Sequence, residues 1–129
     1  MKAWMPLAAA GVLVSSPVSL TPISAGASAA APNRYRHYAA CGVSPDEEPS
    51  HSCPKRGKKG AFFKSLDAAV TYRVCVRFPN DRKLCASHQQ AGQGELKINT
   101  ITSHMVGRHV VTWYVGGTQI GAYSFRIHA

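Results

Sequence analysis

Acidic side chains are scarce in this sequence: 6 Asp and Glu stand against 15 Lys and Arg in 129 residues, a formal charge of +9. Three of the acids, Asp46, Glu47 and Glu48, are consecutive in a proline-rich stretch, and Asp81 follows Pro79-Asn80 in a turn. That leaves no pair of framework carboxylates of the kind a glycosidase takes from separate strands. There is no C-x₂-C pair, so a zinc finger is excluded. None of the serines lies in a G-x-S-x-G context. No apolar run approaches the ~20 residues a membrane-spanning helix needs. Low-complexity tracts and internal repeats are also missing, and the length leaves no room for a two-domain enzyme. These absences point to a non-enzymatic protein with no catalytic residues and no cofactor.

The beginning of the chain has the form of a secretory leader. Lys2 supplies a positive start, Leu7–Val14 is a short apolar core, and Ala27-Ser28-Ala29 fits the small-residue cleavage pattern. We therefore expect a signal peptide over residues 1–29, a secreted or periplasmic product, and no transmembrane segment in the mature chain. All four cysteines, Cys41, Cys53, Cys75 and Cys85, lie beyond residue 29. An even count in a small exported chain reads as two disulfides.

Alternation then places the strands. Val70, Tyr72, Val74, Val76 and Phe78 share one face, with Thr71, Arg73, Cys75 and Arg77 on the other. Pro79-Asn80-Asp81 breaks the pattern as a turn. A hairpin folded about Asn80 opposes Val74 to Ala86, Val76 to Leu84 and Cys75 to Cys85. One choice of turn thus aligns the apolar pairs and the cysteines, which predicts Cys75–Cys85 and leaves Cys41–Cys53. A second hairpin turns at Gly116-Gly117. It opposes Trp113 to Ile120 and Val111 to Ala122, and a bulge at Gly121 is expected to bring Tyr123, Phe125 and Ile127 to the inner face. Residues 96–101 and 60–64 make further strands, and Ser65–Ala69 is expected to form one helical turn.

Six or seven short strands in about 70 residues predict an all-β, antiparallel immunoglobulin-like sandwich. Residues 30–57 carry Pro32, Pro45, Pro49 and Pro54 and read as an N-terminal arm pinned by a disulfide, leaving 58–129 as the sandwich. A sandwich this small is expected to lack a pocket of the ~300 Å³ or more usual for ligands.

The segment Gly107-Arg108-His109-Val110-Val111-Thr112-Trp113, followed by Gly117 and Gly121-Ala122-Tyr123-Ser124-Phe125, resembles the closing hairpin of bacterial immunoglobulin-like domains. It is also similar to the ending of periplasmic copper-resistance carriers. Those carriers have an Asp-Gly-His element in this hairpin and a histidine at the mature N-terminus. Here the hairpin holds Gly116-Gly117-Thr118 and the expected mature start is alanine, so the resemblance implies the fold and not a copper site. His104, Met105 and His109 are the residues that could still suit copper. His109, however, falls on the inward face with Val111 and Trp113.

The basic residues remain. Lys55, Arg56, Lys58 and Lys59 fill four of five consecutive positions, and Arg73, Arg77 and Lys83 line the outer face of the first hairpin. Opposed Arg77 and Lys83 repel unless an anion screens them. These seven residues are the expected anion-binding set. Neutralising the cluster at 55–59 is expected to weaken binding more than neutralising Arg34, Arg36, Lys97 and Arg126. The partner would be an anionic cell-surface polymer or lipid headgroups. Nucleic acid is least supported, because the aromatics form no stacking motif. The main alternative is an inhibitor or toxin-like effector of a partner protein, inserting Asp46–Ser50; a copper carrier ranks below it.

Overall fold

The computed structural model describes residues 34–129; the expected signal peptide lies outside the described residues. Nine strands follow in order: β1 (Tyr35–Ala40), β2 (Ser52–Pro54), β3 (Lys59–Ser65), β4 (Val70–Arg77), β5 (Lys83–Cys85), β6 (Gln89–Ala91), β7 (Leu96–Ile101), β8 (Gly107–Val115) and β9 (Thr118–His128). They form two layers. The smaller sheet runs β1-β3-β7, and the larger runs β2-β9-β8-β4-β5, with β6 also paired to β4. The architecture is an all-β two-sheet sandwich. One pairing departs from the expected antiparallel scheme, since β2 runs parallel to β9.

The first hairpin has the register derived from the turn. Cys75 opposes Cys85, Val76 opposes Leu84 and Arg77 opposes Lys83. Asn80 Oδ1 accepts from the Arg82 amide, and Phe78 and Arg82 close the loop through a backbone bond of 2.8 Å. Asp81 takes the left-handed φ of 68° that this tight turn requires. On β4, Tyr72, Val74 and Val76 are buried, whereas Arg77 is exposed.

The second hairpin differs from expectation by one residue. Val115 pairs with Thr118 and Tyr114 with Gln119, but Trp113 then pairs with Gly121. The extra residue is Ile120, so Trp113 does not oppose it and the bulge precedes Gly121. Gly116 and Gly117 both have positive φ, 59° and 81°, as a type I′ turn demands. The slip carries Tyr123, Phe125 and Ile127 inward.

The arm is the larger correction. Residues 35–40 form β1, paired with β3 from Tyr35↔Ser65 to Ala40↔Gly60. Its inward set is Tyr35, His37 and Ala39, too polar to register as apolar alternation. Ser65–Ala69 bends instead of making a helical turn, with the Ser65 hydroxyl donating to the Ala68 carbonyl and Arg34 paired to Asp67 at 3.0 Å.

Trp113, Val74, Val76, Val111, Phe63, Phe125 and Ile127 pack together between the sheets. Tyr72 stacks on Phe63 at 4.3 Å and its hydroxyl lies 2.7 Å from Asn99 Oδ1, tying the two layers. Burial pushes the Tyr72 phenol up to about 12, with the Glu95 carboxylate adding to the shift. The Cys41–Cys53 disulfide joins the segment after β1 to β2, and so staples the smaller sheet to the larger.

Candidate cationic face

Alternation on the larger sheet places one set of side chains in the core and the other outside. On β4 the outer set is Thr71, Arg73, Cys75 and Arg77, and on β5 it is Lys83 and Cys85. On β8 it is Arg108, Val110, Thr112 and Tyr114, and on β9 beyond the bulge it includes Ser124 and Arg126. No aspartate or glutamate occurs in any strand of this sheet. Five cations, Arg73, Arg77, Lys83, Arg108 and Arg126, therefore share a face whose strands carry no carboxylate, the nearest acid in sequence being Asp81 in the β4–β5 turn. The two ion pairs among the described residues, Arg34–Asp67 and Lys97–Glu95 at 3.8 Å, involve none of them.

Register brings the cations into direct opposition. Arg77 faces Lys83 across β4 and β5, and Arg108 faces Arg126 across β8 and β9. Like charges so placed destabilise a sheet by a few tenths of a kcal/mol per pair. Arg77 relieves part of this by donating to the Asp81 carbonyl at 3.3 Å.

Beside the Cys75–Cys85 disulfide the face is concave. A groove of about 670 Å³ is lined by Arg73, Lys83, His88 and Tyr114, with the cystine in its wall and the Gly116-Gly117 turn at one side. Such a volume exceeds what we expected of so small a sandwich. The Lys83 ammonium lies 5.9 Å from the Tyr114 ring centroid, within cation–π range. A second hollow of about 170 Å³ shares Cys75, Lys83 and Tyr114 and extends to Arg77 and Gln119.

The cluster at 55–59 divides. Lys59 is fully buried, and its ammonium donates to the carbonyls of Lys55, Arg56 and Gly57 at 3.2, 3.0 and 2.7 Å. Burial lowers its pKa. Lys59 is thus a structural cation that holds the turn closed, and it leaves the expected anion-binding set. Lys55, Arg56 and Lys58 are exposed on that turn. The Lys55 carbonyl lies 3.2 Å from His104 Nδ1, and the 102–105 segment also borders Arg82 and Lys83 across a hollow of about 300 Å³. The three exposed cations and the β4–β5 turn accordingly flank the same loop.

Sequence reasoning missed Arg108, Tyr114, His88 and the position of Arg126. A hairpin without the slip at Ile120 sets Arg108 opposite Phe125, so the two arginines do not meet. Arg126 belongs to the face and is no control for it.

His109 cannot combine with Met105 in a metal site as placed. It is fully buried, its Nδ1 bonds the Gly107 carbonyl at 3.1 Å and its Nε2 lies 2.8 Å from the Ser103 hydroxyl. Burial is the main cause of its lowered pKa, opposed by the Gly107 bond and aided by Lys59. Ser103 accordingly donates to a neutral ring. Among the described residues, no three His, Cys, Asp or Glu side chains converge as a metal site would need. The Asp46–Ser50 stretch lies inside the Cys41–Cys53 loop with Asp46 and Glu48 exposed and Glu47 half-buried.

No protein-family model and no curated protein matches the sequence. Among solved structures, an immunoglobulin-like protein from Pseudomonas aeruginosa is similar, with a TM-score of 0.47 and 10% identity. The match covers 78% of this chain and all 100% of that one. The two disulfides point to an oxidising, extracytoplasmic compartment.

Proposed function

We propose that this chain is a secreted or periplasmic, non-enzymatic module that holds an anionic surface polymer on its larger sheet. The observation that carries this reading is the set of strands without acidic residues, with two directly opposed cation pairs, Arg77/Lys83 and Arg108/Arg126. A bound polyanion turns the repulsion within each pair into shared attraction and releases counterions. The groove's chemistry supports binding over catalysis. Its titratable side chains are Arg73, Lys83, His88 and Tyr114 and its cysteines are oxidised, so the single imidazole has neither a thiol nor a carboxylate beside it to form a catalytic pair.

The test is a titration with an anionic polymer at rising salt. Affinity should fall steeply between low and physiological ionic strength, where the Debye length is ~8 Å. Replacing Arg73, Arg77, Arg108 and Arg126 by glutamine should weaken binding well beyond replacing Arg34, Arg36, Lys64 and Lys97. Equal losses would mean that total charge alone acts, and the reading would be wrong.

A further inference from the structure

We infer that the groove over the Cys75–Cys85 disulfide is a subsite for an acidic sugar residue of a polymer chain, with Tyr114 as its stacking platform. The inference rests on the anion-binding reading and names the ligand class for one part of that face. A flat array of lysines and arginines would hold any polyanion equally. This face has a hollow of about 670 Å³, within the ~300–1,000 Å³ range of ligand sites.

The groove combines two kinds of wall. Arg73 and Lys83 offer N–H donors without acceptors, which match a carboxylate or phosphate oxygen. Tyr114 offers an aromatic surface, and β-pairing places it directly opposite Arg73. The Lys83 ammonium sits 5.9 Å from the same ring, so stacking and charge pairing lie within reach of one sugar residue. The ring's apolar C–H face suits Tyr114, and its acidic substituent suits Arg73 and Lys83. A simple inorganic polyanion would use only the second wall.

The site is also built to keep its shape. The disulfide fixes β5 to β4, with Cα atoms 4.0 Å apart, and Tyr114 is half-buried between neighbouring strands. Less ordering free energy is therefore lost on binding. A lipid surface fits less well. The exposed large apolar side chains that could enter a bilayer, Val43, Leu84, Met105 and Val106, do not line the groove. A bilayer surface has no chain to enter a concavity, whereas a polysaccharide does.

The experiment compares three probes against the protein with its disulfides intact. These are an oligogalacturonate, inorganic polyphosphate of matched charge, and vesicles of phosphatidylcholine with phosphatidylglycerol. Tyr114→Ala should weaken oligogalacturonate binding about tenfold, roughly 1.4 kcal/mol, and leave polyphosphate binding unchanged. Tyr114→Phe should retain it. Arg108→Gln with Arg126→Gln, outside the groove, should weaken both soluble probes alike. Unchanged thermal unfolding would certify each variant as folded, and a destabilised Tyr114→Ala would be replaced by Tyr114→Leu. If Tyr114 variants affect both soluble probes equally or neither, the sugar subsite is overturned while anion binding stands. Tightest binding to vesicles, indifferent to Tyr114, would likewise overturn it in favour of headgroups. If no probe binds at low salt, the broader reading of the face fails.

Discussion

Arg108 and Arg126 stand directly opposite each other on β8 and β9, in a register that the bulged residue Ile120 creates. The pair lies on an exposed sheet face with no carboxylate in the surrounding strands. Removing one charge should therefore leave stability unchanged or raise it by a few tenths of a kcal/mol at low salt. Thermal unfolding of Arg126→Gln at low and high ionic strength checks this, and any gain should vanish as salt rises. Loss of stability in Arg126→Gln would show that the arginine packs or bonds in a way that outweighs repulsion.

His37 reaches across from β1 and lies against the Cα of Gly121, so that a methyl group there would overlap its ring. The same imidazole packs against Trp113 in a tilted arrangement, with ring centroids 5.1 Å apart. Gly121→Ala should destabilise the fold by about 1–3 kcal/mol, as overpacking does. Pairing it with His37→Ala should recover part of that loss. Denaturant unfolding of the single and double variants measures the coupling, and strict additivity would mean the two positions do not touch.

Cys75–Cys85 was legible because the turn residues, the apolar pairs and the cysteines all demand one register, and the structure has that register. β3 was visible only as an apolar run, since all but one of its residues are buried and the outside face does not alternate. β1 was hidden because its inner positions are Tyr35, His37 and Ala39, whose burial depends on partners from distant strands. The binding face was half legible. Arg73, Arg77 and Lys83 follow from local alternation. Arg108 with Arg126 requires knowing where one residue slips, and a one-residue slip exchanges the faces of everything after it. Lys59 looks like its exposed neighbours in sequence, and only the carbonyls folded around it set it apart.

His109 gives the fold a dependence on acid. Its folded-state pKa is held below the ordinary value, chiefly by burial. Well above pH ~6.5 the ring is neutral in both folded and unfolded chains, and it contributes no pH dependence. As pH falls below 6.5, the unfolded chain takes up the proton first, so stability drops until the folded pKa is passed. His37 is shifted in the same direction by burial and adds to the slope. Urea unfolding at pH 7 and pH 5 should show the decline, and His109→Gln should retain only the part due to His37. A slope unchanged in His109→Gln would place the effect elsewhere.

Lys59 separates structural charge from binding charge within one short run of basic residues. Its ammonium donates to three carbonyls of the turn at 55–57, where Gly57 has a positive φ of 82°. Lys59→Met keeps the length of the side chain but leaves those carbonyls without their donor. The expected loss is about 1–3 kcal/mol, that of unsatisfied polar groups. Lys58 is exposed on the same turn, so Lys58→Gln should leave stability within about 0.5 kcal/mol of the parent. Binding should respond in the opposite order. Polyanion affinity should fall for Lys58→Gln and be retained for Lys59→Met under conditions where that variant is folded. Unfolding curves and salt-dependent titrations on the two variants measure both quantities. If Lys59→Met lost affinity as Lys58→Gln does, the turn's shape would be part of the binding face, and the division between the two lysines would fall.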